Sequence, residues 1–382
     1  MQDSSITRVG VVGGGQLARM LQPEITALGA QLVVLDPSEQ APAMANADQQ
    51  VLGCYHDPQA LAQLAGCCDV ITVELEDVGC EALAQIRDQG TPVYPDPDLI
   101  ALIRNKYRQK QAYAALDIAT SDFCSVDPAD PQGFIDFGFP LVQKTETGGY
   151  DGRGVQVLRS ADELDRRLMA PSFVERLVPF VMEVGVMVAR TPQGQTRAFA
   201  PTEMVLDPEL NLLDLLLAPA RLTPDQTAAA ERLACQVIEK LGGVGVFGVE
   251  LFLTETGEFL VNEIAPRAHN SGHHSIEACQ TSQFGQQARI LLGLPLGSVA
   301  QPRPAALVNL IGQPGFTGAT RVVGLAETLA IEGVTVHLYG KAECRPGRKM
   351  GHMSIVADSI DAVLETAHRA KQTLSIQGAD AL

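Results

Sequence analysis

The sequence predicts an α/β protein of more than one domain, and two observations lead to this prediction. Short apolar runs alternate with helical patterns through the first hundred residues, in a β–α–β–α–β order. This order favours a parallel sheet with right-handed crossover connections. The chain has 382 residues, 46% of them apolar, and is too long for one ordinary hydrophobic core. We therefore expect two or three domains.

The first predicted strand and helix lie in "RVGVVGGGQLARML", at residues 8–21. Gly13, Gly15 and Ala18 form a G-x-G-x-x-A pattern, and Asp36 ends the next apolar run. This combination is typical of dinucleotide-binding sites. The alternative is that the helix N-terminus, with unpaired N–H groups and a partial positive charge, faces a different ligand at the sheet edge.

The second unit contains the glycine-rich stretch "TETGGYDGRG", residues 145–154, directly after Lys144. Backbone N–H groups of such a loop can approach an oxyanion closely. It is not a Walker A loop, because no Gly-Lys-Ser/Thr follows it. A surface hairpin, in which the glycines serve only the turn, is the alternative.

Two acidic residues lie in neighbouring predicted strands, Glu250 in "VELFL" and Glu263 in "VNEIAP". The turn "ETGE" would place these strands side by side and antiparallel. Carboxylates in apolar strands are costly to bury unless a cation neutralises them. Two carboxylates, phosphate oxygens and water suit Mg²⁺. The alternative is one exposed acid and one acid in a salt bridge.

Basic residues form two further groups. "APRAHNSGHHS", residues 265–275, places Arg267 beside the predicted metal-binding strand, where a guanidinium can hold a transferring group. Its histidines do not indicate a zinc site, because neither Cys ligands nor an HExxH frame accompanies them. "KAECRPGRKMGH", residues 341–352, is a second basic group or a solvated charge run. Together these features are what nucleotide-driven ligation requires.

The composition of the chain limits the classes of partner that it can bind. The net charge is −17, aromatic residues are 5% and Trp is absent, so we expect neither a nucleic-acid nor a membrane partner. No apolar run reaches the roughly 18 residues of a membrane span, and the N-terminus has no secretory apolar region. The eight cysteines form no C-x-x-C pair, which favours reduced residues in a cytoplasmic protein.

In order, "NKYRQK", "KTETGGYDGRG", "FVERLV", "VELFL" and "VNEIAPRAHNSGHH" resemble the ATP-grasp enzymes. Within these they resemble the 5-(carboxyamino)imidazole ribonucleotide synthases of purine synthesis, from "GGGQLARM" to "RPGRKMGH". Other ATP-grasp ligases acting on a phosphoribosyl intermediate, an NAD-dependent oxidoreductase and a nucleotide-sensing module remain alternatives. The implied domains are Rossmann-like (1–100), helical connection and lid (101–184), ATP-grasp core (185–300) and a small β-rich C-terminal domain (301–382).

The resemblance implies that ATP lies between the lid and the core. Lys106 and Lys144 would contact phosphates, residues 175–178 adenine and Glu183 the ribose, beneath a flap over 149–154. Glu250 and Glu263 would hold Mg²⁺, or Mn²⁺ in its place. The implied ATP-binding residues are Lys106, Lys144, Gly149, Tyr150, Asp151, Gly152, Arg153, Gly154, Glu175, Arg176, Leu177, Val178, Glu183, Asn262 and Glu263.

The resemblance also implies a reaction. Bicarbonate attacks ATP to give carboxyphosphate, which releases CO₂ beside the amine of 5-aminoimidazole ribonucleotide. The implied catalytic residues are Asp151, Arg267, Tyr150 and His269. The implied acceptor-binding residues are Gly15, Gln16, Glu74, Arg153, Asn270, Lys341, Arg345 and Lys349. The glycine turn then lines the acceptor site, Asp36 has no cofactor role, and the enzyme is a homodimer.

Two stretches depart from the family pattern. After "APTE", Met204 and Asp207 lie where the family often carries Asn and an ATP-contacting His, so Asp207 is left out of the predicted site. "VELEDV" lacks the usual aromatic residue. Glu74 and Glu76 still offer acids at the C-terminal end of a strand, where open α/β sheets bind ligands.

Overall fold

The N-terminal unit is built on a parallel sheet in a computed structural model that describes residues 6–149, 154–206 and 213–381. Its strands are β1 (Arg8–Val12), β2 (Gln31–Asp36), β3 (Gln49–Leu52) and β4 (Val70–Val73), in the order β3-β2-β1-β4. Every pairing among them is parallel. The helices are α1 (Gln16–Ala27), α2 (Pro58–Ala65) and α3 (Cys80–Asp88). The predicted βαβ unit is therefore confirmed.

Two short helices, α4 (Pro97–Arg104) and α5 (Lys106–Ala115), lead into an antiparallel lid sheet. Its strands are β5 (Phe123–Val126), β6 (Leu141–Thr145), β7 (Val155–Leu158) and β8 (Ser172–Arg176), in the order β5-β8-β6-β7, with α6 (Pro131–Phe137) beside them. Phe134, Leu141, Leu158 and Val174 form the core of the lid. The lid thus has an apolar core of its own.

The large sheet begins with β9 (Phe180–Arg190), β10 (Thr196–Ala198), β11 (Thr202–Leu206) and β12 (Leu213–Ala218). After α7 (Pro224–Lys240) come β13 (Gly245–Thr254) and β14 (Phe259–Ala265), which form the predicted antiparallel hairpin. Thr223 caps α7 through a capping box, and Pro224 is its first residue. Hydrogen bonding to β9 and β14 places β13 inside the sheet.

The C-terminal unit continues the same sheet. After α8 (Ser275–Ala278) and α9 (Gln283–Leu291) come β15 (Ala305–Ile311), β16 (Phe316–Val323), α10 (Leu325–Leu329), β17 (Val334–Leu338), β18 (Glu343–Cys344), β19 (Lys349–Val356), α11 (Ile360–Thr373) and β20 (Ser375–Ala381). The large sheet runs β14-β13-β9-β11-β12-β15-β19-β17, with β10 on β9. Strands β18, β16 and β20 form a smaller sheet. The C-terminal unit is therefore joined to the core by backbone hydrogen bonds.

The N-terminal unit shares a hydrophobic core with the part of the chain that contains α9. Helix α1 packs on α9. Leu21 and Ile25 of α1 belong to the same buried cluster as Phe284 and Ala288 of α9. The two units thus exclude water from one common surface. Within the described residues, no helix has the length and apolar character needed to span a bilayer.

We expect Phe284→Ala to lower the free energy of unfolding by about 3–5 kcal/mol, because it opens a cavity in a fully packed interface. Phe284 is 1% exposed. Urea unfolding followed by circular dichroism measures the change. Leu294→Ala is the control, because Leu294 is 38% exposed and its truncation should change stability by less than about 1 kcal/mol. Equal losses in the two variants would contradict the shared core.

Candidate active site

Strands β13 and β14 bring the two predicted acids together. Glu250 and Glu263 are direct register partners, with a bulge immediately after Glu250. Asn262 Nδ2 donates a hydrogen bond to Glu250 Oε2 at 3.3 Å, and Lys106 Nζ forms an ion pair with Glu263 Oε2. The predicted alternative is one exposed acid and one acid in a salt bridge. Glu263 does form a salt bridge with Lys106, but neither acid is exposed.

The two carboxylates have opposite electrostatic surroundings. Desolvation, followed by the charges of Glu263 and Glu183, raises the pKa of Glu250 well above its ordinary value. Desolvation also acts on Glu263, but Lys106 and Lys144 outweigh it and lower the pKa of Glu263 to about 2. Glu263 is therefore ionised at neutral pH, whereas Glu250 needs further positive charge to ionise fully.

This need for positive charge is the test of whether the site suits a metal ion. Within the described ranges, no group of three or more His, Cys, Asp or Glu side chains is arranged to hold an ion. A divalent cation at Glu250 and Glu263 would therefore complete its shell with phosphate and water oxygens, as Mg²⁺ usually does. The hard oxygen donors and the excess of acid fit such an ion.

A buried ion network lies beside the acid pair. Glu175 of β8 binds Lys144 Nζ at 2.8 Å and Lys110 Nζ at 2.9 Å. Lys144 also donates to Asn262 Oδ1 at 2.9 Å, which joins the lid sheet to β14. Desolvation raises the pKa of Glu175, but Lys144 and Lys110 outweigh it and lower this pKa to about 2. Desolvation lowers the pKa of Lys110 to about 8.

Lys110 is a residue that the sequence analysis missed. It lies one helical turn after Lys106 in "NKYRQK", so the spacing of four residues could have indicated a shared face of α5. The Glu175 side chain, expected near adenine, is instead directed at the two lysines. Arg176 donates to the carbonyl groups of Phe137 and Gly138 on the lid.

The predicted ribose-binding acid lies on β9. Glu183 pairs in register with Phe252 of β13, two residues after Glu250. Desolvation, together with the charge of Glu263, raises the pKa of Glu183 to about 7. The Phe252 ring stacks on Phe180, with ring centroids 4.6 Å apart. Glu183 thus lies close enough to Glu263 for the charge of that acid to raise its pKa.

The predicted flap is only partly described. Gly149 and Gly154 flank it, and the Gly154 carbonyl accepts a hydrogen bond from Thr145 N at 2.8 Å. Tyr150, Asp151, Gly152 and Arg153 lie outside the described residues, as does Asp207. The assignments of Tyr150, Asp151, Gly152 and Arg153 therefore stay predictions, and Asp207 has no assigned role.

The segment after β14 joins the acid pair to the N-terminal unit. Arg267 Nε lies 2.9 Å from Glu76 Oε1, and His269 Nε2 lies 3.7 Å from Glu250 Oε1. Asn270 exchanges two amide hydrogen bonds with Asn309. Of these three residues, His269 is thus placed beside the predicted metal ligand Glu250, whereas Arg267 lies beside Glu76 and Asn270 beside Asn309.

The glycine turn differs from the expectation of unpaired N–H groups. Glu74 accepts hydrogen bonds from Gly15 N and, at 3.0 Å, from Ala18 N. Gly14 N donates to Asp36 Oδ2 at 2.8 Å. The expectation that the N–H groups at this turn are unpaired is wrong, because the carboxylates of Glu74 and Asp36 accept hydrogen bonds from them. Tyr55 also donates to Asp36, so this acid is occupied within the protein.

The basic C-terminal loop lies against the same helix. Arg19 of α1 donates to the Tyr339 carbonyl at 3.5 Å, and Lys341 Nζ donates to the Lys349 carbonyl at 2.7 Å. Lys341 also lies over the Tyr339 ring, 5.5 Å from its centroid. The two predicted parts of the acceptor site, glycine turn and basic loop, are thus neighbours. Gln16 is the first residue of α1.

Three domain models cover most of the chain. They describe a ribonucleotide synthetase preATP-grasp domain at residues 6–104, an ATP-grasp domain at 111–284 and a phosphoribosylaminoimidazole carboxylase C-terminal domain at 305–366. The chain is 40% identical to the N5-carboxyaminoimidazole ribonucleotide synthase of Synechococcus elongatus, over 97% of this chain and 95% of the relative.

Two solved structures are similar over nearly the whole chain. The N5-carboxyaminoimidazole ribonucleotide synthetase of Thermotoga maritima has a TM-score of 0.91 and 38% identity, covering 98% of this chain and 100% of its own. The Aspergillus clavatus N5-carboxyaminoimidazole synthase, in complex with ADP and 5-aminoimidazole ribonucleotide, has a TM-score of 0.87 and 31% identity, covering 96% and 98%.

We expect Glu175→Gln to destabilise the protein by roughly 3–5 kcal/mol, because it leaves buried lysines without their counter-charge. The double variant Lys110→Met with Glu175→Gln should recover part of the loss, since one uncompensated charge is then removed. Urea unfolding measures the free energy of unfolding of the single and the double variant. Glu163→Gln is the matched control, because its partner Arg166 is exposed and the change should be below about 1 kcal/mol. A loss for Glu175→Gln no larger than the control would contradict the network.

Lowering the pH should lower the free energy of unfolding of the protein, because His274, in the segment after β14, is protonated more readily in the unfolded chain. This ring is fully buried, and desolvation lowers its pKa from 6.5 to about 4. The unfolded chain therefore binds more protons between those values, so the free energy of unfolding falls as pH falls through them, by on the order of 3 kcal/mol. His274→Asn keeps a donor for the Ser271 carbonyl, which His274 Nδ1 contacts at 3.1 Å, and removes the titration.

The check is urea unfolding of both proteins at about pH 7.5 and about pH 5. The wild type should lose more stability than His274→Asn, because all other titrating groups are common to the two. Equal losses would show that His274 does not titrate in this range.

Proposed function

The chain belongs to the N5-carboxyaminoimidazole ribonucleotide synthase family of ATP-grasp ligases, and on this basis we propose which of its residues carry the reaction. ATP, bicarbonate and 5-aminoimidazole ribonucleotide give N5-carboxyaminoimidazole ribonucleotide, ADP and phosphate, a step of purine biosynthesis. The observation that carries the residue assignment is the register of Glu250 and Glu263, with Lys106 and Lys144 at the same place.

The phosphate end of ATP is assigned to this cluster. Lys106 and Lys144 exchange their carboxylate partners for phosphate oxygens when the nucleotide enters, because charge-assisted hydrogen bonds to phosphate are strong. Glu250 and Glu263 hold Mg²⁺, or Mn²⁺ in its place. The ion, when bound, offsets the charge of the phosphates and of both acids. Glu183 serves the ribose and residues 176–178 the adenine, since the Glu175 side chain is paired with Lys110 and Lys144.

The carboxyl group is formed and transferred beside Arg267. Bicarbonate oxygen attacks the γ-phosphorus, ADP leaves, and the resulting carboxyphosphate breaks down to CO₂ and phosphate. Arg267, held by Glu76, and His269, beside Glu250, provide cationic and hydrogen-bonding groups for the developing negative charge. Asn270 orients the transferred carboxyl group.

The acceptor lies between the glycine turn and the basic loop. Arg153, Lys341, Arg345 and Lys349 bind its phosphate, and Tyr150 and Asp151 hold the imidazole and amine. Gly15, Gln16 and Glu74 line the ribose side, where Arg19 already contacts the loop. Closure of the flap over 149–154 keeps CO₂ and carboxyphosphate from bulk water until the amine attacks.

The cellular setting is also a proposal. Within the described residues all eight cysteines have free thiols, which supports a reducing compartment and hence the cytoplasm. A homodimer rests on the family resemblance alone. The occupied carboxylate of Asp36 argues against a dinucleotide at the glycine turn, because that acid would have to bind the ribose.

The test is ADP release with ATP, Mg²⁺ and bicarbonate, in the presence and absence of 5-aminoimidazole ribonucleotide. We expect acceptor-dependent ADP release, and Glu263→Gln should reduce it by about a hundredfold or more through loss of metal and lysine partners. Asp151→Ala should keep stabilisation by Mg-ATP and lose the acceptor dependence.

Glu255→Gln is the matched control, because Glu255 is exposed at the turn of the same hairpin and should keep wild-type turnover. Wild-type protein without acceptor-dependent ADP release would refute the assignment. Thermal stabilisation by NAD but not by Mg-ATP would favour the dinucleotide alternative.

A further inference from the structure

Three polar side chains form one row across the C-terminal part of the large sheet. Asn309 of β15 is the register partner of His352 of β19, and His352 is the register partner of His337 of β17. The rings of His352 and His337 stack, with centroids 4.5 Å apart. Direct cross-strand partners share one face of a sheet. We call Asn309, His352 and His337 the polar row.

Each member of the polar row contacts one residue of the segment that follows Arg267. Asn270 and Asn309 exchange amide hydrogen bonds of 3.0 and 3.1 Å. The His273 ring stacks on His352, with centroids 4.9 Å apart. Glu277 Oε1 lies 2.5 Å from His337 Nε2. The contacting residues are spaced by three and four positions along a short 3₁₀ turn (Asn270–Gly272) and the start of α8, and they meet successive strands.

These contacts are polar although the side chains are buried, where apolar packing would avoid the free-energy cost of desolvating polar groups. His273 is 2% exposed and His352 is 0% exposed. His352 Nδ1 contacts the Tyr339 hydroxyl at 3.0 Å, whereas its Nε2 has no hydrogen-bond partner within the described residues. Directional contacts between buried polar groups define one relative position of two segments more closely than apolar contacts do.

The chain on either side of the row leads to the two ends of the proposed acceptor site. Strand β17 ends at Leu338, three residues before Lys341, and β19 begins at Lys349, three residues before His352. The basic loop is therefore held between His337 and His352. On the other side, Asn270 lies three residues after Arg267. The row thus provides direct side-chain contacts between the strands that flank the phosphate-binding loop and the carboxyl-transfer segment.

We propose that Asn309, His352 and His337 are positioning residues that set the separation between the two ends of the bound acceptor. This inference rests on the proposed function. It follows from the geometry of a ligand fixed at its phosphate, whose amine must meet CO₂ at a distant point. A small shift between the two binding segments then weakens acceptor capture while the ATP site, on β13, β14 and the lid, is unchanged.

The test uses the full chain with Asn309→Leu and His337→Leu, each compared with Ser354→Ala. Ser354 is buried on β19 two residues from His352 and has no hydrogen-bond partner for its hydroxyl within the described residues. We measure KM for 5-aminoimidazole ribonucleotide, KM for ATP and kcat, and the melting temperature with and without Mg-ADP. The stabilisation by Mg-ADP reports a folded ATP site independently of turnover.

We expect KM for the acceptor to rise about tenfold in each leucine variant, as loss of one or two hydrogen bonds implies. KM for ATP and the Mg-ADP stabilisation should stay as in the wild type. Asn309→Asp still accepts from Asn270 Nδ2 and should lie between the wild type and Asn309→Leu. Ser354→Ala should resemble the wild type.

Unchanged acceptor KM in active, folded variants would overturn the positioning role, and so would equal rises in both KM values. If Asn309→Leu does not fold, His337→Leu decides, because His337 is only partly buried. A wild type without acceptor-dependent ADP release removes the premise and overturns the proposed function together with this inference.

Discussion

The buried ion network around Glu175 determines how the lid and the core meet. Its carboxylate holds Lys144 of the lid and Lys110 of α5, and Lys144 continues to Asn262 on the strand of the acid pair. Lys110 also contacts the Val261 carbonyl on that strand. Because each charge is compensated only while the others stay in place, the lid sheet, α5 and β14 are locked in one arrangement. The position of Lys144 beside Glu263 depends on this arrangement.

The same coupling explains which parts of the site could be predicted. Hydrophobic periodicity and the turn between β13 and β14 are local signals. They correctly predict the β–α–β–α–β order of the N-terminal unit, the hairpin and the pairing of Glu250 with Glu263. The spacing of four residues indicates that Lys110 shares a face of α5 with Lys106. The partners of Lys110 and Asn309 could not be assigned, because they are distant in sequence. The bond between Asn309 and Asn270 spans 39 residues, and that between Lys110 and the Val261 carbonyl spans 151. No local pattern specifies such contacts.

The glycine turn shows how one motif serves different chemistry. A tight turn before a helix always presents N–H groups and a partial positive charge. Which anion satisfies them depends on residues elsewhere in the chain. Here Glu74, at the end of β4, occupies the N–H groups of Gly15 and Ala18. The acid that would identify a dinucleotide site, Asp36, instead binds Gly14 N and the Tyr55 hydroxyl. The G-x-G-x-x-A pattern therefore predicts the local backbone but not the ligand.

Continuity of the large sheet across β12 and β15 has a consequence for biosynthesis of the protein. Until β15 has emerged from the ribosome, β12 is an open edge, and its Leu216 and Leu217, both nearly fully buried in the finished protein, have no neighbour on that side. Unpaired apolar edges are templates for association between chains. In a nascent chain that ends near residue 300, β12 therefore has an open apolar edge. Protection of that edge arrives only with the last fifth of translation.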